Sequence, residues 1–346
     1  MPRCETTVAG HRRTDTKWRR ADRQRAVSLP LVSQSWENSP VSAEANQGTL
    51  STLRTKLTAL TNEHLPADDA ARLSALARPA VLLAHGERES DMHLGGGARL
   101  EPGQEWPSVD GRFLALLVVL DLEEVSRFVV DVDLPAQGYL NFFYDAEEQS
   151  VWGFEPGDNR AWRVLYAASA SAIEIAPPKD APSFPLIWLV AEQALTLPGW
   201  EEPVASPLFP SHAPPRNGLL GRRADKKDQT RRDAYFAVQD AWRTGEHPDH
   251  IGHQIGGWPV LQQGPIWREC DLVSQGYPLG TSDQFRAAEQ AGVPDTQTDW
   301  QLLLQVESDD DAGWMWGDVG ALYYTVRSSE PAERKFDHGW MILQCG

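Results

Sequence analysis

The stretch "HLGGGARL" at residues 93–100 returns in altered form as "HQIGGWPVL" at residues 253–261. In both, a histidine and an aliphatic residue precede a Gly-Gly pair, and a leucine follows. Two more blocks repeat in the same order: "LALLVVLDL" (114–122) is echoed by "QLLLQVESD" (301–309), and "QGYLNFFYD" (137–145) by "VGALYYTVR" (319–327). Apolar strands resemble one another by chance, but three blocks in one fixed order predict a duplicated chain. Each half then offers one apolar sheet face, and packing the halves together buries both. The expected fold class is α+β and β-rich: an internally duplicated unit of two pseudo-equivalent β-sheet halves with short peripheral helices.

Outward from these blocks, the elements follow from periodicity. Leu50, Leu53, Leu57 and Leu60 recur at helical steps, which predicts a helix with one apolar face. "PADDAARLSALA" (66–77) predicts a second, with Asp68 and Asp69 in the first turn where the helix dipole favours acids. "AVLLAH" (80–85), "RFLALLVVLDL" (112–122), "GYLNFFYD" (138–145) and "WRVLYAAS" (162–169) are β-branched and aromatic runs, punctuated by Gly and Pro as strands are. "PGWEEPVASPLFPSHAPPRNG" (198–218) holds six prolines and predicts a surface loop or linker. The charge run "GRRADKKDQTRRD" (221–233) reads as a solvated loop leading into an amphipathic helix over 234–243, with Phe236, Ala237 and Asp240 on overlapping faces. The expected organisation is a disordered basic tail (1–48) and one domain (49–346), divided into a first half (79–197), the Pro-rich linker (198–218) and a second half (234–346).

At these blocks the chain resembles a known family. "LGGGARLEPGQEWPSVDGRFLALLVVLDLEEV" followed by "LPAQGYLNFFYD", then "GGWPVLQQ", "WQLLLQVESD" and "MWGDVGALYYTV", are similar to the successive motifs of the YwqG-like family of bacterial proteins. The resemblance runs from about Leu50 to Cys345. It implies a duplicated α+β fold with curved sheets and no established reaction. Two positions depart from the family pattern: Val119 stands where the first half has a glutamine, whose second-half counterpart Gln305 is kept, and Ala98 replaces a proline.

Composition narrows the function classes. The formal charge is -17, with a basic excess confined to residues 1–25, so the body carries about -22. Such a body repels nucleic-acid phosphates and anionic membranes, and neither is an expected partner. The longest apolar run, "FLALLVVL" (113–120), is far short of the ~20 residues of a membrane span. Cys4, Cys270 and Cys345 form no disulfide framework, and a reducing cytoplasm fits them. No cofactor motif is present: "HLGGGA" lacks both G-x-G-x-x-G and a Walker lysine.

For chemistry, the richest segment is "SDDDAGWMWGDVG" (308–320). An EF-hand beginning at Asp309 keeps Asp311 at position 3 but fails at Gly313, Trp314 and Gly320, so its aspartates read as a solvated tip. "HPDHIGH" brings His247, Asp249, His250 and His253 near one another in sequence, with Cys270 as a further metal ligand, but the spacing fixes no common face. The carboxylate pairs Glu123/Glu124 and Glu201/Glu202 read as surface. The remaining candidate is a Trp/Tyr strip with polar handles: Gln262, Gln305, Trp314, Trp316 and Asp318 are the expected ligand- or partner-binding residues, unless the aromatics fill the core instead. The sequence therefore predicts a non-enzymatic binding protein for an unknown protein or small-molecule ligand, one form being an acidic accessory or immunity-type protein. The alternative is a hydrolase-like enzyme with His93, His253, Gln305 or Asp318 in a cleft between the halves.

Overall fold

The apolar runs pair into one ten-stranded antiparallel sheet in the computed structural model, which describes residues 43–208, 219–247, 250 and 252–346. The expected tail over 1–42, the linker residues 209–218 and Asp249 lie outside the described residues. In chain order the strands are β1 (Arg78–His85), β2 (His93–Leu94), β3 (Ala115–Asp121), β4 (Tyr139–Tyr144), β5 (Trp162–Ala167), β6 (Ile187–Thr196), β7 (His253–Ile255), β8 (Trp300–Glu307), β9 (Ala321–Arg327) and β10 (Trp340–Gln344). Their order in space is β10-β9-β8-β7-β1-β6-β2-β3-β4-β5.

The central pair is β1 and β6, in register from Arg78↔Thr196 to His85↔Leu189. Outward on each side come a very short strand, a long apolar strand, an aromatic strand and an edge strand. Register matches too: Leu94 faces Val118 as Ile255 faces Leu304. Irregularities fall at corresponding places, between Leu116 and Val118 and between Leu302 and Leu304.

Both short strands end in glycines with left-handed backbones, Gly95 and Gly96 (φ 57° and 68°) and Gly256 and Gly257 (φ 64° and 71°), where a Cβ is strained. A side chain two residues earlier ties down the first carbonyl of each pair: His93 Nδ1 donates to Gly95 O and Gln254 Nε2 to Gly256 O, both at 2.9 Å. Anchored on the glycines, His93 thus corresponds to Gln254. The sequence comparison, which matched the histidines, is offset by one residue there.

The halves do not form two separate sheets. β1 from the N-terminal half sits between β6 and β7, so the wings share one continuous ladder. The sheet curls until its edges nearly meet. Trp162 on β5 and Trp340 on β10 lie edge-to-face at 5.1 Å. Leu343 N–H donates to Trp152 O at 3.0 Å, and the Trp340 indole donates to Gly153 O at 2.8 Å. Inside the curl the aromatic strands touch, Phe142 against Tyr324 at 5.2 Å, and Tyr144 meets Trp316 of the turn before β9 at 5.7 Å. These edge-to-face contacts add to the burial of large apolar surfaces.

Helices cover one side near the central pair. α1 (Ala43–His64) begins before residue 49, inside the span expected to be tail, and α2 (Ala67–Leu76) follows. α3 (Leu219–Glu246) absorbs the basic run, so that stretch is helix and not loop. Among its described side chains the buried ones are Tyr235, Val238 and Trp242, one helical stripe, while Phe236, Ala237 and Asp240 are exposed, the reverse of the expected face. The stripe packs with Leu50, Leu53, Leu57 and Leu73 in a second core under the sheet's centre. Short helices α4 (Trp267–Ser274) and α5 (Ser282–Gln290) connect β7 to β8.

Candidate functional site

Three strand ends deliver polar groups to one spot. β1 finishes at His85, β7 starts at His253, and β8 runs out toward Asp309. Asp309 Oδ2 stands 2.8 Å from His85 Nε2 and 3.1 Å from His253 Nε2. Its Oδ1 accepts the backbone N–H groups of Asp311 (2.9 Å) and Ala312 (3.0 Å). Burial alone raises a carboxyl's pKa. Here the hydrogen bonds from His253, Ala312 N–H and His85 outweigh it and hold Asp309 well below the usual carboxylate range. Far from sitting at a solvated tip, Asp309 is buried and organises its loop, while Asp310 and Asp311 are exposed.

The ring nitrogens and the carboxylate are close enough to share one ion, but the donor chemistry argues otherwise. His253 Nδ1 accepts the Glu307 N–H at 3.1 Å, so the neutral ring carries its proton on Nε2 and gives it to Asp309. A metal on Nε2 would need that proton gone while Nδ1 still accepts, a deprotonated ring rather than the usual ligating imidazole. Burial pulls the His253 pKa down, keeping it neutral despite Asp309. The trio is a closed proton-holding network with one outward group, His85 Nδ1, 3.6 Å from Asp311.

A second place has the shape of a binding site. Between α3, the end of β6 and the segment after β7 lies a cavity of about 480 Å³, in the size range of small-molecule pockets. Trp200, Trp242, Trp258 and Phe236 contribute aromatic wall, and Leu195, Leu197 and Val260 aliphatic wall. Glu202 also lines it, although it is only 1% exposed. Burial pushes its carboxyl up to about 7, against the Trp267 hydrogen bond and the Arg78 charge. Both carboxyl oxygens face the Trp267 indole N–H, at 2.9 and 3.0 Å. His250 joins the wall, its pKa lowered to about 4 by burial and by the neighbouring histidines, and its ring nitrogens have no protein partner. His247 also lines the wall, its ring nitrogens without a hydrogen bond; Glu192 lies 3.3 Å from Nδ1 outside bonding geometry.

The expected site residues do not assemble. Trp314 (4% exposed) and Trp316 (0%) stack at 5.5 Å inside the core, so neither offers a platform to a partner. Gln305 is buried and satisfied: it accepts the Val260 N–H and donates to Gly252 O and Glu307. Gln262 is exposed, and its N–H donates to Gln344 Oε1. Asp318 is exposed, and its carbonyl accepts the Gly346 N–H. His93 is buried in its own turn, and His253 is held by Asp309, so these groups share no cleft. The segment after β7 does line the cavity, through Gln254 and Trp258–Leu261, while the corresponding 93–100 stretch and Asp318 do not. Nor do His247 and His250 join His253 and Cys270 in a metal set among the described residues. Cys270 is fully buried, which pushes its thiol up and leaves it inert.

Sequence reasoning missed the His85–Asp309 network and the place of Glu202 and His250 in the cavity wall. A polar residue closing an apolar strand, as His85 closes "AVLLAH", was the available signal for the first.

A curled ten-stranded antiparallel sheet with an apolar, carboxyl-bearing cavity beside its centre defines an α+β protein, and no helix among the described residues is long and apolar enough to cross a membrane. The chain belongs to the family described as Domain of unknown function (DUF1963), whose model matches residues 93–345. All the strands but β1 lie within that match, as does nearly all of the cavity wall. A search of curated proteins returned no match.

Proposed function

We propose that this chain is a small-molecule-binding protein and that the cavity beside β6 and α3 is its site. The observation that carries this reading is an aromatic-walled space of ligand size in which a buried carboxyl and a half-buried imidazole stand without full complements of protein partners. Buried polar groups are ordinarily satisfied, and exceptions concentrate where something else binds. A thermal-shift screen of aromatic fragments tests it. Some fragments should raise Tm, and Val260→Trp, which adds an indole at an exposed edge of the cavity, should cancel the rise. If no fragment raises Tm, or the variant responds as the wild type does, this reading fails.

An enzyme remains the second reading, now with its site in this cavity. Glu202 poised near neutrality is the feature that favours it, since general acids and bases work best there. The acidic accessory or immunity-type role is less well supported, because the aromatics expected to anchor a protein partner are in the core. The mirrored strand order and matched registers support internal duplication. The quoted motifs support a YwqG-like placement, and the buried thiol of Cys270, outside any disulfide, a cytoplasmic setting.

A further inference from the structure

The hydrogen-bonding groups of the cavity wall are unequally committed. The amide and indole N–H donors are mostly spent within the protein: Gln254 on Gly256 O and Trp258 O, Gln239 on Pro198 O, Trp242 on Leu195 O, and Trp258 on Leu76 O. The acceptors are not. Glu202 has two oxygens sharing one indole N–H, while His247 Nδ1 turns to Glu192 at 3.3 Å and neutral His250, with no hydrogen-bond partner, offers one acceptor and one donor. Charge points the same way. Among the described residues, Glu201, Glu202 and Asp240 line the space against one lining cation, Arg243, which turns to Asp240 at 3.3 Å on the exposed side, while Arg232 stands 5.4 Å over the Trp200 ring. Arg78 acts on Glu202 only at range, its guanidinium stacked 3.6 Å from the Trp258 ring centre.

A ligand that completes Glu202 must bring N–H donors and positive charge on an apolar body. We infer that the cavity takes an organic amine, a protonated ammonium carried on an aromatic or aliphatic frame, with Glu202 as its counter-charge. This rests on the reading of the cavity as a ligand site and specifies what enters it. The ammonium would supply the donors that Glu202 lacks, and exposed Phe236 offers ring surface to the cation or its frame. An anionic ligand would meet three carboxylates, and a neutral one would leave Glu202 as it stands.

Isothermal titration with three near-isosteric probes, phenethylamine, phenethyl alcohol and hydrocinnamate, tests the inference on the full chain. Phenethylamine should bind at least tenfold more tightly than the alcohol, with hydrocinnamate weakest, and Glu202→Gln should bring the amine-to-alcohol ratio close to one. Should that variant fail to fold, the wild-type ratio alone decides. Equal or tighter binding of the alcohol or the acid overturns the amine assignment, as does no measurable binding of any probe. In either case the cavity reading survives if the neutral dye N-phenyl-1-naphthylamine still binds and is blocked by Val260→Trp. If the dye fails as well, the cavity reading falls with it.

Discussion

The two Gly-Gly ends of the sheet share a backbone and differ in what they face. At β2, a Cβ on Gly95 would come within 2.4 Å of Pro185 O and 2.6 Å of Phe184 O, so this turn is sealed by main chain. At β7, a Cβ on Gly256 would meet the side chains of Val130 (2.3 Å) and Asp131 (2.7 Å), and the segment that follows opens onto the cavity. The first wing therefore closes its turn with backbone, whereas the second closes it with side chains and leaves a space beside it. Only the second wing also carries the Asp309 network: by the matched strand register, in which Val118 corresponds to Leu304, exposed Glu123 stands where Asp309 would fall. The shared backbone makes the fold, and the function is to be sought where the wings diverge.

The largest effect expected is at the glycines. Gly95→Ala meets fixed carbonyl oxygens in a left-handed backbone and should cost roughly 3 kcal/mol or more. Gly256→Ala meets movable side-chain ends and should cost about half as much. Chemical denaturation of the two variants checks the order, and equal costs would erase the distinction between the turns.

Next is Asp309→Asn, which turns one acceptor edge into a donor facing two imidazole N–H groups and should cost about 2–4 kcal/mol. The wild-type contribution has a direction in pH. Asp309 is held below its unfolded pKa, so its stabilisation is present above the ordinary carboxylate range and is lost as pH falls through its folded value. The gap between variant and wild type should thus narrow in acid, as denaturation midpoints across pH will register. Glu123→Gln in the first wing should change little at any pH.

Glu202→Gln should have no effect in mild acid and a stabilising one in base, the opposite pH dependence. Its folded pKa of about 7 lies above the unfolded value, so the wild type loses stability as pH rises from about 4.5 through 7. The variant should match the wild type near pH 5 and exceed it at pH 8, by ~2–3 kcal/mol at most. A constant difference across that range would mean that Glu202 does not titrate in the cavity.

Much of the fold was legible because it is written in short-range patterns. The β-branched runs marked β1, β3, β4 and β5, and the leucines at helical spacing marked α1. Glycine pairs needing a left-handed backbone located the strand ends. The site was not legible, because its parts are brought together only by folding. His85 and Asp309 are 224 residues apart in sequence. Glu202 sits in a proline-rich stretch that reads as surface, and only its docking against Trp267 and Tyr235 makes it buried. Trp314 and Trp316 were open to both readings for a physical reason: bulky apolar rings suit a core and a platform equally well, and local sequence does not say which face is covered.

The measurement that bears most directly on the cavity is a fluorescence titration of N-phenyl-1-naphthylamine into the wild type and Val260→Trp. The wild type should give a blue-shifted, saturable rise with energy transfer from the wall tryptophans, and the variant should bind at least tenfold more weakly. No enhancement in the wild type, or superimposable titrations of the two proteins, would contradict the account.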